Sequence, residues 1–254
     1  MGRVSGMTAA ESGGPERLWV VRHGESAGNV ARDRAEAERR DRIELAHRDV
    51  DVPLSETGQE QAAALGRWLA TVPEGPTVLW TSPYVRAEQT AQIALDTAGL
   101  QVRTVVDERL REREFGVLDG LTRQGITSLY PEESERRRQI GKFYHRPPGG
   151  ESWSDVLLRL RGALTDLQLR EPDGRVLLVA HQVVVLLVRY VLEGLTEKGV
   201  LEIDRASEVL NCSVTTYTRG PEGLVLASFN EVGHLERSDD AEITAESDVA
   251  RVPR

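Results

Sequence analysis

The sequence predicts a three-layer α/β/α fold around a mostly parallel sheet of six strands. Six short apolar or β-branched runs are present, and long helical patterns separate the first four of them. Strands that alternate with helices build a parallel sheet that is covered on both faces. The predicted strands span residues 18–21, 77–80, 102–106, 176–180, 213–218 and 224–229.

Sequence patterns between the strands predict where helices begin and where the chain turns. Apolar residues at spacings of three and four over residues 58–72 indicate one face of a helix. Ser82 followed by Pro83 predicts a helix with the serine as its cap and the proline in its first turn. Ser152 and Asp155 predict a capping box at the start of another helix. A turn-rich segment before the sixth strand predicts a closing hairpin that adds an antiparallel strand.

Length and composition are typical of one large α/β domain. The chain has 254 residues, 39% of them hydrophobic, and no apolar run reaches the ~20 residues of a membrane helix. The net charge of -9 argues against nucleic-acid binding, which requires basic side chains that neutralise phosphates. The single cysteine cannot form an intramolecular disulfide, and the amino end lacks a signal-peptide pattern. We therefore expect a cytoplasmic protein with no membrane partner.

Composition also predicts the organisation of the chain. Residues 1–16 are rich in glycine and small side chains, and we expect them to be disordered. Residues 237–254 are acidic and have almost no apolar residues at regular spacing, which predicts a flexible tail. The folded domain is therefore expected to span residues 17–236.

Unusual polar residues follow the predicted strands at the edge where open α/β sheets bind ligands. The first strand ends in Arg22 and His23, the fourth ends on His181, and Arg86 follows the second. The segment after the third strand carries Glu112 and other acidic residues. Each residue alone is more often structural or exposed than catalytic. Together, however, histidines and guanidinium groups at one edge are suited to binding and transferring a phosphoryl group.

These segments resemble the signature motifs of the histidine phosphatase superfamily, which also includes the phosphoglycerate mutases. The resemblance extends in order from about residue 18 to residue 235 and rests on VVRHGES, PLSETGQEQAAALGRWL, TSPYVRAEQTA, LREREFGVLDG and VLLVAHQ. It implies a phosphoglycerate mutase-like fold. It also implies a phosphatase, a phosphoric monoester hydrolase that requires no metal ion and no other cofactor.

The resemblance implies a catalytic role for five residues. His23 is the nucleophile that forms a phosphohistidine. Glu112 is the acid that protonates the leaving alkoxide and then draws a proton from the attacking water. Arg22, Arg86 and His181 bind the phosphoryl oxygens and neutralise their charge.

Five further residues are expected to bind the substrate. The resemblance implies that Asn29 donates a hydrogen bond and that Gly24 lets the backbone turn tightly beside the phosphate. Gln182 and Arg137 match positions of the fructose-2,6-bisphosphatase branch. Lys142 aligns, if one residue is inserted, with a lysine of that branch that binds the sugar phosphate.

Alternatives remain for the acid and for the basic residues. Glu114 is the second choice for the acid, because it lies two residues from Glu112 in what reads as an extended loop. Arg137 and Lys142 equally fit a solvated helix face. Other positions depart from the bisphosphatase branch, which has tyrosine, tyrosine and arginine at Arg123, Trp153 and Leu186.

Two segments are expected to influence substrate choice. Residues 122–152 form a cap region, because they lie between the acid and the second histidine. Residues 32–50 are an insert relative to the usual family length, and their basic residues fit either a lid or a surface helix. The basic residues of this insert that the sequence draws attention to are Arg40, Arg42, His47 and Arg48.

The leading functional hypothesis is a phosphatase that acts on a small phosphorylated metabolite. The second is a phosphoglycerate mutase, an isomerase that returns its phosphoryl group to the substrate. The third is a non-catalytic module that binds a phosphorylated ligand, but the expected sign, loss of the nucleophile or the acid, is absent from the sequence. The oligomeric state is not predicted.

Overall fold

The structure, a computed structural model, describes residues 14–238 and 241–245. Six strands form one sheet: β1 (Arg17–Arg22), β2 (Val78–Thr81), β3 (Arg103–Val106), β4 (Arg175–Ala180), β5 (Val214–Gly220) and β6 (Gly223–Glu231). Their order is β3-β2-β4-β1-β5-β6, and the first four strands of this order pair in parallel. β5 pairs antiparallel with both β1 and β6. The predicted strands and the mostly parallel sheet are confirmed.

Helices cover both faces of the sheet. They are α1 (Ala27–Ala37), α2 (Glu56–Leu69), α3 (Val85–Ala98), α4 (Arg123–Leu129), α5 (Pro131–Ile140), α6 (Trp153–Arg170), α7 (Gln182–Leu192), α8 (Glu197–Ala206) and α9 (Gly233–Glu236). Short 3₁₀ turns occupy Asp49–Asp51, Glu108–Leu110 and Gly116–Leu118. Within the described ranges, no helix has both the length and the apolar composition needed to cross a bilayer.

The central strands bury both of their faces, which produces two cores. Leu18 and Val20 of β1 pack with α6 and α7, whereas Trp19 and Val21 pack with α2 and α3. All four side chains are at most 2% exposed. Because full burial of such a side chain contributes about 1.5–3 kcal/mol, this two-sided packing fixes the strand ends that form the site.

One predicted helix start is confirmed and one is wrong. Ser152 Oγ accepts a hydrogen bond from the Asp155 backbone, and Asp155 Oδ2 accepts one from the Ser152 backbone at 2.8 Å. This is the predicted capping box. In contrast, α3 begins only at Val85, and Ser82 is not its cap. The Ser82 side chain is buried and lies against His181 instead.

Parts of both terminal segments pack against the domain, although composition predicts disorder there. Residues 14–16 form backbone hydrogen bonds with residues 173–174. Gln61 Nε2 donates to Thr244 Oγ1 at 2.9 Å, which holds residues 241–245 against α2. These hydrogen bonds override the polar composition locally. The remainder of the predicted flexible segments lies outside the described residues: 1–13, 239–240 and 246–254.

The start of α2 lies so close to the loop after β1 that two glycines are needed. A Cβ at Gly58 would lie 1.9 Å from the carbonyl oxygen of Glu25. A Cβ at Gly24 would lie 2.6 Å from the carbonyl oxygen of Gly58. The loop that carries His23 is therefore positioned by backbone contact with α2.

Replacing Gly58 by alanine is expected to lower the free energy of unfolding by roughly 1–3 kcal/mol, because the backbone must move to admit the methyl group. Urea denaturation of the variant and the parent measures this loss. Gly75→Ala is the matched control, since its Cβ would lie 3.6 Å from Leu100 in ordinary contact. Equal stability of both variants would contradict the close approach at Gly58.

Candidate active site

The carboxyl ends of β1, β2 and β4 meet at one edge of the sheet, as the sequence predicts. Arg22 at the end of β1 pairs with Ala180 of β4, and Thr81 of β2 pairs with Val179. A pocket of about 80 Å³ opens there. Its lining includes His23, Asn29, Arg32, Ile43, Leu45, Asp49, Arg86, Glu112, Phe115, Asp119 and Gln182.

The hydrogen bonds of His23 define its tautomer. Its Nδ1 lies 2.7 Å from the carbonyl oxygen of Gly24, which can only accept, so Nδ1 carries the proton. Its Nε2 therefore holds a lone pair, and Arg86 Nε donates to this atom at 3.3 Å. Burial, and then the charges of Arg86 and Arg22, hold the pKa of His23 well below its usual value. The imidazole is thus neutral at neutral pH.

His181 lies next to His23, with 5.2 Å between the ring centroids, and Ser82 fixes one of its nitrogens. Ser82 Oγ accepts from the Tyr84 backbone at 3.3 Å and lies 2.8 Å from His181 Nε2. His181 Nδ1 has no hydrogen-bond partner within the described part of the chain, and it lies 3.7 Å from Glu112 Oε2. Burial is the main cause that lowers the pKa of His181.

Sequence reasoning missed Ser82, because it interpreted the residue as a helix cap. The available signal was its position immediately after β2, at the same sheet edge as the two histidines. In an open α/β sheet, a hydroxyl group at the end of a strand can belong to the ligand site as readily as it can cap the next helix.

Two buried arginines supply positive charge beside the histidines. Arg22 is fully buried, and its Nη1 donates to the Val209 carbonyl at 2.5 Å. Burial lowers its pKa to about 10, so that it stays charged at neutral pH. Arg86 Nη1 donates to the Asp49 carbonyl at 2.7 Å and lies 3.0 Å from Asp49 Oδ1. Asp49 is not among the residues predicted from the sequence.

The geometry distinguishes the two candidate acids. Glu112 lines the pocket, and its Oε1 accepts from the Arg113 backbone at 2.7 Å. Burial, the largest cause, raises the pKa of Glu112, which favours its protonated form. Glu114 is exposed, does not line the pocket and accepts from Tyr84 Oη at 3.4 Å. Of the two, only Glu112 lies beside the histidines.

Asn29 and Gln182 line the pocket, but Gly24 does not. Asn29 Oδ1 accepts from the backbone and the hydroxyl of Ser26, at 2.8 and 2.9 Å, which fixes the orientation of its amide. The Gly24 backbone donates to Thr90 Oγ1 at 3.0 Å, away from the pocket. The role of Gly24 beside the phosphate stays a prediction, and in the structure this glycine allows close packing on α2.

Arg137 and Lys142 are not among the residues that line this pocket, and their binding of substrate stays a prediction. Lys142 Nζ forms a 2.7 Å ion pair with Asp204 and lies 4.7 Å from the Trp153 ring centroid. Because the pair is largely buried, the Asp204 carboxylate already neutralises this ammonium group. Arg137 lines a second cavity of about 40 Å³, which has only Phe115 in common with the first.

The insert at 32–50 forms one wall of the pocket. Arg32, Ile43, Leu45 and Asp49 of this segment all line it. The basic residues that the sequence singled out are instead exposed: Arg40, Arg42, His47 and Arg48. Ile43 and Leu45 are large apolar residues within a mainly charged segment, and this feature of the sequence could have indicated that the segment packs against the pocket.

Comparison with known proteins identifies the family. A family model described as histidine phosphatase superfamily (branch 1) matches residues 18–232. The chain is 34% identical over 228 residues to the probable phosphoglycerate mutase GpmB of Yersinia enterocolitica, covering 87% of this chain and 95% of that protein. It is 30% identical over 227 residues to the protein of the same name from Photorhabdus laumondii, with the same coverage.

Solved structures share the fold. The mycobacterial glucosyl-3-phosphoglycerate phosphatase matches with a TM-score of 0.66 and 28% identity, covering 85% of this chain and 99% of that one. A putative α-ribazole-5'-P phosphatase from Escherichia coli K-12 matches with a TM-score of 0.69 and 22% identity, covering 85% and 97%. The resemblance to the fructose-2,6-bisphosphatase branch stays a prediction. The motifs, the fold and the family match agree: the chain is an enzyme and belongs to the histidine phosphatase superfamily.

Proposed function

We propose that this enzyme is a phosphomonoesterase that hydrolyses a small phosphorylated metabolite through a phosphohistidine on His23. The observation that carries the proposal is the neutral His23 ring, with its proton held at Nδ1 and its Nε2 beside Arg86. A nitrogen lone pair next to a guanidinium group is suited to in-line attack on phosphorus. In this proposal residues 17–236 form the catalytic domain, and residues 122–152 are its cap.

In the first step, the Nε2 lone pair of His23 forms a bond to phosphorus while the bond from phosphorus to the leaving oxygen breaks. Glu112 gives its proton to that oxygen and becomes a carboxylate. Arg22, Arg86 and His181 neutralise the charge on the other phosphoryl oxygens. The raised pKa of Glu112 supports its role as the acid, since it favours the protonated carboxyl that this step needs.

In the second step, water attacks the phosphohistidine. The Glu112 carboxylate takes a proton from the water as the new phosphorus–oxygen bond forms, and the bond between phosphorus and His23 breaks. Inorganic phosphate leaves, and both residues return to their starting protonation states. The same buried pocket serves both steps, so that no second acid is needed.

Ser82 has a positioning role in this proposal. In it the Ser82 hydroxyl, whose oxygen accepts from the Tyr84 backbone, donates its proton to His181 Nε2, so that the imidazole proton lies on Nδ1. His181 Nδ1 can then donate to a phosphoryl oxygen. Ser82 thereby selects the tautomer of His181 that binds the phosphoryl group.

Replacing Ser82 by alanine is expected to lower kcat/KM roughly tenfold, because His181 loses the hydrogen bond that selects its tautomer. Steady-state kinetics of Ser82→Ala, His181→Ala and the double variant measure the coupling. The double variant is expected to be no worse than His181→Ala alone. Independent, multiplying losses would contradict the assignment.

The pocket supports a small substrate. Its mixed lining, with Arg32 beside Ile43, Leu45 and Phe115, suits a compact ester with an apolar part. The proposal includes action in the cytoplasm without a metal ion or an organic cofactor. The test is phosphate release from a panel of phosphorylated metabolites by the purified enzyme, with and without a chelator. Release that requires an added metal ion, or no release from any ester, would refute it.

A phosphoglycerate mutase is the second candidate, and the names of the curated relatives at 34% and 30% identity favour it. A mutase holds its phosphoryl group and returns it to the glycerate, whereas a phosphatase loses it to water. The assay supplies 3-phosphoglycerate with 2,3-bisphosphoglycerate and measures 2-phosphoglycerate and inorganic phosphate separately. Formation of 2-phosphoglycerate faster than phosphate release would establish the mutase.

A further inference from the structure

Asp49 lies in the 3₁₀ turn Asp49–Asp51 of the insert and binds the guanidinium group of Arg86. Arg86 Nη1 donates to the Asp49 carbonyl oxygen at 2.7 Å and lies 3.0 Å from its Oδ1. Arg86 Nη2 lies 3.4 Å from Asp49 Oδ2, and Arg86 Nε donates to His23 Nε2 at 3.3 Å. Every nitrogen of this guanidinium group is thus in contact with the protein.

We propose that the Asp49 carboxylate competes with the phosphoryl group for Arg86. This inference rests on the proposed function, in which phosphorus lies in line with His23 Nε2. A phosphoryl group in that position takes over Arg86 Nε and Nη2, because these nitrogens face His23 and the carboxylate. Asp49 Oδ2 and a phosphoryl oxygen are both acceptors for Arg86 Nη2, so the phosphoryl group displaces the carboxylate from this nitrogen.

Charge repulsion between the carboxylate and the phosphoryl group adds to the competition for hydrogen bonds. A carboxylate that stays beside Arg86 repels a phosphate dianion at short range. The Asp49 carbonyl carries no net charge and can keep its contact with Nη1. The Asp49 side chain is 41% exposed, so that its carboxylate can rotate into solvent when the anion binds. Binding of the anion therefore displaces the carboxylate and leaves the backbone contact in place.

The consequence is a weaker affinity for inorganic phosphate, the product of hydrolysis. The two buried arginines and the second histidine alone would form a strongly anion-binding pocket. Asp49 offsets part of this attraction for any phosphoryl group at Arg86, and for the product this weaker binding favours release. We therefore infer that Asp49 limits product inhibition.

Asp49→Asn tests the inference, because it removes the charge and keeps the size of the side chain. Titration calorimetry with inorganic phosphate is expected to give a Kd about fivefold lower or more, the scale of a partly exposed ion pair. The Ki of phosphate against p-nitrophenyl phosphate is expected to fall by the same factor. Asp51→Asn is the matched control, with the same change of charge two residues away. Asp51 pairs at 2.6 Å with the exposed Arg48, outside the pocket.

An unchanged or higher Kd in Asp49→Asn would overturn the inference, and would mean that Asp49 only positions Arg86. An equal gain in Asp51→Asn would also overturn it, since the effect would then be one of net charge. Asp49→Ser serves as a second neutral variant if the asparagine protein does not fold. Because calorimetry needs no turnover, the competition is measured even if no ester is hydrolysed, an outcome that would refute the proposed function alone.

Discussion

Replacing His23 by alanine is expected to reduce phosphate-ester hydrolysis by a factor on the order of 10⁴ to 10⁶, the loss found when an enzyme nucleophile is removed. The physical reason is geometric. The neighbouring imidazole, His181, is fully buried and its Nε2 lies against Ser82 Oγ, whereas Nε2 of His23 lies beside the Arg86 guanidinium group. Initial rates with p-nitrophenyl phosphate and with sugar phosphates measure the loss.

A labelling experiment tests the same residue independently of the rate. The enzyme is quenched during turnover of a ³²P-labelled ester, and the quench avoids acid because the bond between phosphorus and histidine nitrogen is acid-labile. The label is expected on His23. His47→Ala is the control, because His47 is an exposed histidine of the insert outside the pocket. Label on a serine or an aspartate would refute the mechanism.

The second large effect is expected at Glu112. Glu112→Gln is expected to slow hydrolysis of esters with poor leaving groups, such as sugar phosphates, by ~10²-fold or more. The reason is that an alkoxide needs a proton as it leaves. The effect on the first step with p-nitrophenyl phosphate is expected to be smaller, because that phenolate leaves without a proton. Comparison of kcat/KM for the two kinds of ester gives the result.

The pH dependence of the rate is a second test of Glu112 as the acid. Because burial raises the pKa of Glu112, the acid stays protonated to a higher pH than an exposed glutamate does. The rate with sugar phosphates is therefore expected to fall as the pH rises through that raised pKa, and the fall is expected to disappear in Glu112→Gln. Glu114→Gln is the matched control. If it shows this pattern and Glu112→Gln does not, the acid is Glu114.

The sequence alone determined the sheet and the polar residues at its strand ends, and the reason is that these are local properties. A strand that is buried on both faces is a run of apolar residues, and its end is visible where Arg22 and His23 interrupt the run. In an open α/β sheet such ends meet at one edge, so that His181 could be expected beside His23 before any distance was known.

Only the tertiary structure decided how the remaining charges are distributed. Lys142 aligns by sequence with a substrate-binding lysine, yet Asp204, 62 positions away in the chain, neutralises it. Asp49 lies 37 positions from Arg86 and occupies its guanidinium group. No sequence pattern links these pairs, because an ion pair depends on separation in space and on burial, which packing of distant segments sets. The motifs thus determined which residues meet at this edge of the sheet, whereas packing decided which charges neutralise one another.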